Sequence, residues 1–241
     1  MTVFKTIAGV LLIATLAACN INSSVEIPDG TSRDGNASTV NGSVSIGDEV
    51  TVNGDVGNVN GRIRIGSNSQ VKDIGNVNGS IAIGEGSTAD SVETVNGSIS
   101  LGTGVVLSGD VGTVNGSIEA EESVQIGGKV STVNGRIALA DGSSVAEGIE
   151  TTNGSIRMTG ASAASIDTKN GSIDLQDGTR IEGRLRVRES NDDRSKPEVK
   201  IGPGVTVVGP LVFEQAVDLY IHETADVGDI QGAEPQPYPD D

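Results

Sequence analysis

Apolar and polar residues alternate along this chain in a sequence motif that recurs about every nineteen residues, as in VETVNGSISLG at positions 92–102. The copies can be aligned on the residue before Asn-Gly, and successive copies start 19, 18, 18, 19, 19, 19 and 17 residues apart. A fixed period of this size is typical of solenoid proteins. The eight starting residues are Val40, Val59, Val77, Val95, Val114, Val133, Thr152 and Lys169.

Four positions of the repeat, counted from that starting residue, are apolar in every copy. The fifth position is always Val or Ile, from Val44 to Ile173, and the seventh is also apolar throughout. The thirteenth includes Val52, Ala164 and Ile181, and a fourth apolar position lies three residues before the next copy. Gly, Ser, Thr, Asn and Asp occupy much of the sequence between them, so the pattern predicts short strands joined by turns, with no helical segment.

Asn-Gly between alternating apolar residues also indicates a β-hairpin, so two architectures compete. Eight hairpins would make about sixteen short strands, and a barrel of that size is too wide for Val and Ile to fill. A coil instead brings four or five aliphatic side chains per turn to its centre and stacks each position on its own copies. We therefore predict an all-β, single-stranded parallel β-helix of about 18–19 residues per turn. We expect a right-handed coil, with a left-handed hexapeptide-type coil as the alternative.

Stacking also explains the asparagine of each Asn-Gly pair. Stacked side-chain amides can bond to the copies above and below, and Asn followed by Gly tolerates a left-handed backbone at a corner. The sequence therefore predicts a structural asparagine ladder. Its expected members are Asn41, Asn60, Asn78, Asn96, Asn115, Asn134, Asn153 and Asn170.

The repeats occupy residues 39–188 and divide the rest of the chain around them. We expect residues 19–38 to form a tether and N-terminal cap, because a solenoid end has to shield its core and strand edges. Residues 189–197 are predicted to be an exposed loop, and residues 198–233 the final turns and C-terminal cap. The ending 234–241 is rich in proline and acidic residues, which predicts a disordered tail.

Composition narrows the range of functions. The 33 acidic against 16 basic side chains give a net charge of −17, which repels phosphate, so no nucleic acid partner is expected. With 34 glycines but only two Phe, two Tyr and no Trp, the core has to be aliphatic. The single cysteine excludes an internal disulfide.

The N-terminal segment has the features of a secretory leader. An apolar run from Ile7 to Ala18 follows Lys5, and it is too short to span a bilayer, for which about 20 residues are needed. The run ends in LAAC, residues 16–19, which resembles the lipobox of bacterial lipoprotein signal peptides. This resemblance implies that residues 1–18 are a signal peptide.

The same resemblance implies that Cys19 carries diacylglycerol and an N-linked acyl chain, with palmitate a typical acyl group. Several acyl chains anchor a protein to a membrane far more firmly than one. Asn20 stands where the family's inner-membrane retention signal usually has Asp. We therefore expect a lipoprotein of the bacterial cell envelope, held at the outer membrane.

The repeats resemble two bacterial families over residues 40–201. Exported β-strand-repeat proteins, often described as adhesins, have copies much like VETVNGSISLG, and bactofilins, which are polymer-forming β-helices, have turns like IGDEVTVNGDVG. Both resemblances imply a β-helix. The first implies an envelope or adhesive role, and the second implies self-association.

Few side chains suggest chemistry. Glu119, Glu121 and Glu122 form an acidic run without a calcium-loop pattern, and His222 is the only histidine. The outward positions of the repeat carry no recurring pair of carboxylates, which a polysaccharide-cleaving β-helix would need. No catalytic residue, metal or cofactor is expected.

Arginine marks the most suggestive surface. Arg62, Arg64, Arg136 and Arg157 fall in two outward positions of the repeat, with three further arginines at 184, 186 and 188. On so acidic a protein, such a ribbon could bind an anionic glycan or a lipid phosphate. The alternative is that arginine and serine only solvate a flat face.

Three function classes follow, in order of preference. The first is a non-enzymatic, lipid-anchored protein that acts as a structural or interaction β-helix. The second is an adhesin or anionic glycan-binding module, and the third is a polysaccharide-cleaving enzyme. The expected partners are the membrane through acylated Cys19, an envelope glycan or protein, and further copies of the chain.

Overall fold

The computed structural model describes residues 22–190 and 196–239, and every regular element in them is a β-strand. The chain winds as a parallel β-solenoid of about eleven turns with three sheets. At the usual strand spacing of about 4.8 Å, the coil is roughly 50 Å long. The predicted parallel β-helix is therefore confirmed, whereas its right hand remains a prediction. The leader with Cys19, and residues 191–195 of the expected loop, lie outside the described residues.

Sheet 1 contains the residues that follow Asn-Gly in each copy. All its pairings are parallel, and they place each repeat on the next, as Ile99 on Ile118. Its twelve strands are Val25–Ile27, Val44–Ile46, Ile63–Ile65, Ile81–Ile83, Ile99–Leu101, Ile118–Ala120, Ile137–Leu139, Ile156–Thr159, Ile173–Gln176, Glu198–Ile201, Asp218–Ile221 and Gln236–Pro237.

Sheet 2 is made of two-residue strands and is the narrowest. A pair near the N-terminus, Ser32–Arg33 and Thr51–Val52, connects through bridges of Gln70 to the other eight strands. These strands are Thr88–Ala89, Val106–Leu107, Gln125–Ile126, Ser144–Val145, Ser162–Ala163, Arg180–Ile181, Thr206–Val207 and Asp226–Val227.

Sheet 3 carries the longest strands and leads into each Asn-Gly corner. Most of its strands have five residues, and the asparagine ends seven of them. Its eleven strands are Ala37–Asn41, Val56–Asn60, Ile74–Asn78, Val92–Asn96, Val111–Asn115, Val130–Asn134, Ile149–Asn153, Ile166–Thr168, Leu185–Val187, Leu211–Phe213 and Ile230–Gln231.

The core is a set of aliphatic columns that run along the axis. Val44 to Ile173 of the fifth position are at most 1 % exposed, so the predicted burial of that column is observed. In the shortened seventeen-residue turn the thirteenth position shifts, because Val145 pairs with Ala163 and Ala164 is only half-buried. The assignment of Ala164 to the core was therefore wrong by one residue.

The two corners that flank sheet 1 use different backbone solutions. At the corner after sheet 1, one residue has a left-handed backbone. In most turns this residue is glycine, and in four turns it is Glu49, Asn68, Ser123 or Asp177. None of the ladder asparagines at the corner before sheet 1 has a positive φ. The expectation that asparagine recurs there because it tolerates a left-handed backbone is therefore wrong. The glycine is needed for close approach. A Cβ on Gly61 would lie 1.9 Å from the carbonyl oxygen of Gly42 in the preceding turn.

Both ends differ from the expected boundaries. The solenoid begins inside the expected tether, because Val25–Ile27 pairs with Val44–Ile46 as a full turn. At the other end, Gln236–Pro237 pairs with Tyr220 and Ile221, so part of the expected disordered tail adds a strand to sheet 1. Backbone pairing with the adjacent turn outweighs the polar composition at both ends.

Candidate functional site: the outer faces of the solenoid

The asparagine column forms one continuous chain of amide hydrogen bonds along a corner of the coil. Each Nδ2 donates to the Oδ1 of the asparagine one turn earlier, at 2.8 to 3.0 Å, from Asn170 back to Asn22. Asn22 precedes the predicted members and could have been found, because Asn22-Ser23-Ser24-Val25 repeats the motif with serine for glycine. The ladder stiffens the corner and leaves little spare bonding capacity for a ligand.

A second polar column runs inside the coil, and sequence reasoning missed it. The residue before each starting valine is buried, and it is Thr or Asn in every copy from Thr39 to Thr168. Most of these side chains donate to the carbonyl of the Asn-Gly glycine one turn earlier, as Asn76 does to Gly61 at 2.8 Å. The invariant choice of Thr or Asn before the valine was the available signal.

Three oxygens of that interior column are left without a hydrogen-bond partner. They are Oδ1 of Asn58, Oδ1 of Asn76 and Oγ1 of Thr151. Asn58 and Asn76 occupy adjacent turns, since they are paired in the register of sheet 3. A buried oxygen without a donor destabilises the fold.

The four predicted arginines are exposed and form two separate pairs, with Arg64 and Arg157 on the outer face of sheet 1 and Arg62 and Arg136 immediately before its strands. Arg62 and Arg64 belong to one turn, and Arg62 donates to Ser80 Oγ at 3.3 Å. Arg136 and Arg157 belong to neighbouring turns, four and five turns after the first pair, which is about 19 and 24 Å at the strand spacing. The column of sheet 1 that carries Arg64 and Arg157 has Glu119 in a turn between them. The face is therefore two basic spots separated by an acidic residue.

The further arginines do not extend this face, because they lie on and beside sheet 3. Arg184, Arg186 and Arg188 surround the carboxylate of Asp167, at 3.9, 3.8 and 2.5 Å respectively. Arg186 also binds Glu214 at 2.5 Å. Burial raises the pKa of Asp167 above its ordinary value, although Arg188 and Arg186 act in the opposite direction. This cluster is an internally paired charge network.

The outer face of sheet 3 carries a column of valines over its first six turns. The starting valines, such as Val77 and Val95, point outward and are half-buried, beside small residues such as Gly75 and Gly112. Glu93 lies between those two glycines, and burial, followed by repulsion from Asp110 and Asp73, raises its pKa to about 7. This carboxylate therefore titrates near neutral pH.

Tyr238 and His222 meet at the last turns of sheet 1. The Tyr238 ring packs edge-on against His222, with centroids 5.6 Å apart, and its hydroxyl accepts a 2.6 Å bond from Gln176. Gln176 also donates to Asp174, which binds Arg157 at 2.9 Å. These contacts hold the tail against the sheet and connect it with one predicted arginine.

The other candidate residues are not brought into a reactive arrangement. Glu119 is exposed on sheet 1, and Glu121 accepts hydrogen bonds from Thr103 at a corner. Within residues 22–190 and 196–239, no group of His, Cys, Asp and Glu is placed to hold a metal ion. Over the same ranges no helix is long and apolar enough to cross a membrane.

Comparison with known proteins adds no homologue. No family model, curated protein or solved structure matches this chain.

Proposed function

We propose that the chain is a lipid-anchored, non-enzymatic β-solenoid of the bacterial cell envelope that acts as a rigid spacer and interaction surface. The observation that carries the proposal is the position of Asn22. Its side chain is the first rung of the ladder, bound to Asn41 at 3.0 Å, and it lies only three residues after Cys19.

This short distance limits how far the first turn could lie from a lipid anchor at Cys19. Three residues reach at most about 10 Å, which is short beside the roughly 50 Å of stacked coil. The ladder and the three parallel sheets connect the turns without a hinge from Asn22 to Asn170. An acylated Cys19 would therefore hold the first turn at the membrane surface and project the last turns outward.

Lipid attachment is tested by labelling expressing cells with an alkyne analogue of palmitate. The parent chain should incorporate the label and fractionate with the outer membrane, whereas C19S should do neither. A parent that carries no label would remove the anchor from the proposal.

The spacer role has its own test, because whole turns can be deleted. Removal of residues 97–115 takes out one nineteen-residue period and joins Asn96 to Gly116, which restores the Asn-Gly corner. The shortened chain should fold and be about 4.8 Å shorter by small-angle scattering. Deletion of 97–110 is the matched control, because it breaks the register and should prevent folding.

The aromatic cluster favours a second function, the recognition of an envelope glycan. Tyr220, Tyr238 and His222 gather at the end of the rod that lies away from Cys19, on the face that also carries Arg157. Aromatic rings and amide or carboxylate groups are the side chains that sugars contact. Binding of neutral and anionic polysaccharides by the parent should weaken in Y220A, and anionic binding should also weaken with salt and in the variant with all four arginines changed to Ser. Cleavage products in the same assays would instead support an enzyme.

A further inference from the structure

Asn-Gly is the dipeptide in which asparagine most readily loses its side-chain amide, and this chain contains nine such pairs. Eight belong to the ladder, and the ninth is Asn53-Gly54, at a corner next to sheet 2. In this reaction the glycine nitrogen loses its proton to solvent base and attacks the Cγ of asparagine. The bond from Cγ to Nδ2 breaks, ammonia leaves, and water opens the resulting succinimide to aspartate or isoaspartate.

The structure protects the attacking nitrogen in the first five ladder pairs. Each glycine N–H donates to the carbonyl oxygen of the asparagine in the next turn, over 2.9 to 3.2 Å. A nitrogen whose proton is held in a hydrogen bond, in a backbone fixed by stacking, is a poor nucleophile. The protected glycines are Gly42, Gly61, Gly79, Gly97 and Gly116.

The three C-terminal pairs differ from the first five and from one another. Gly171 N is held by the side chain of Thr168, at 3.1 Å to Oγ1. Within the described part of the chain, the N–H groups of Gly135 and Gly154 donate no hydrogen bond. Near Gly154 the coil shortens to seventeen residues, and the strand pairing there ends at Glu150 and Asp167.

We propose that Asn134 and Asn153 are the rungs at which the ladder undergoes spontaneous deamidation, with water as the co-reactant. An aspartate at position 134 has no N–H to donate, so the 2.9 Å bond to Asn115 is lost. Isoaspartate would add a methylene to the backbone at a corner where a Cβ on Gly135 would already lie 1.9 Å from Gly116 O. The modification therefore loosens the C-terminal half of the coil and makes the acidic chain more negative.

The test is peptide mapping by mass spectrometry of the full chain during incubation in mildly alkaline buffer. Asn53-Gly54 provides an internal reference, because its side chain has one bond, to Asp34 at 2.9 Å, and Gly54 N donates none. We expect Asn53 to react first, followed by Asn134 and Asn153, which should react several-fold faster than the five protected pairs. Equal rates at all eight ladder pairs would overturn the proposal.

Two isosteric variants test whether the hydrogen bond of the glycine N–H, and not the folded state in general, slows deamidation. T168V removes the hydroxyl that holds Gly171 N, so Asn170 alone should react several-fold faster. T151V is the matched control, because Thr151 occupies the same interior column and its Oγ1 has no partner, so no rate should change. Unchanged reaction at Asn170 in T168V would refute the mechanism, whereas loss of the fold would accelerate all five protected pairs together.

Discussion

Replacement of Gly116 by alanine tests whether the glycine of Asn-Gly is required by stacking. Gly116 has no φ in the left-handed region, so its backbone alone would accept alanine. The obstacle is the preceding turn, because the new Cβ would lie 1.9 Å from the carbonyl oxygen of Gly97 and 2.5 Å from its carbon. Contacts under 3.0 Å essentially never occur at real Cβ atoms, so the two turns would have to separate at that corner.

The expected loss of stability is about 3 kcal/mol, the upper end of the usual range for overpacking, since backbone and not a flexible side chain is in the way. For a chain of this size that lowers the melting temperature by roughly 6–12 °C. The matched control is G112A in the same turn, whose Cβ would make ordinary contacts with Ser131, at 3.5 Å to Oγ and 4.0 Å to the carbonyl oxygen. G112A should leave stability unchanged or raise it by up to about 1 kcal/mol. Equal melting of G116A and G112A by circular dichroism would refute the stacking explanation.

Three further changes test the core, the interior polar column and Glu93 on the outer face of sheet 3. I118D places an unpaired charge at a fully buried position and should lower stability by several kcal/mol, about 3 or more, in chemical denaturation. N76T matches the majority residue of its column and removes an unpaired buried oxygen, so its denaturation midpoint should rise by the equivalent of about 1 kcal/mol. The folded-state pKa of Glu93 is raised from 4.5 to about 7, so the folded state binds the extra proton and stability falls as the pH rises between these values. E93Q should therefore melt higher than the parent above pH 7 and equally below pH 4.5, and an advantage that persists below pH 4.5 would contradict this origin.

The periodic part of the fold could be predicted because one strand spacing governs every turn. Ile118 stacks between Ile99 and Ile137 and is buried as they are. A correct assignment of core residues in one turn therefore predicts the core residues of the next turn. Prediction failed where a turn departs from the common length. Ala164 was misplaced by one residue because the seventeen-residue turn is one residue shorter between sheets 1 and 2: Met158 and Ala163 are five residues apart, whereas their partners Leu139 and Val145 are six apart. Residue type does not reveal this change.

The faces were harder to predict than the core. The starting valines are as apolar as the core residues, but strand alternation places them outward, and the buried Thr or Asn beside them satisfies glycine carbonyls that composition does not show. The arginines at 184, 186 and 188 share residue type with those on sheet 1, yet the register assigns them to the side of the coil with sheet 3. A surface of this fold is therefore specified by register, which depends on every earlier turn length.

The ends of the ladder show why identical residues recur between them. A Cβ on Gly42 would meet Ser23 of the first turn, at 2.9 Å, so position 42 excludes a side chain. Ser23 itself has no described turn before it, and there the motif carries serine in place of glycine. At the other end, the residue one turn after Asn170 is Glu189, which has no amide to donate, and the next turn of sheet 1 is displaced by 26 residues, from Ile173 to Val199. Asn-Gly thus recurs in every turn that stacks on another turn with the same corner, and it is absent where the neighbouring turn has a different corner. The repeat is therefore a consequence of contact between copies, which requires no ligand along this corner.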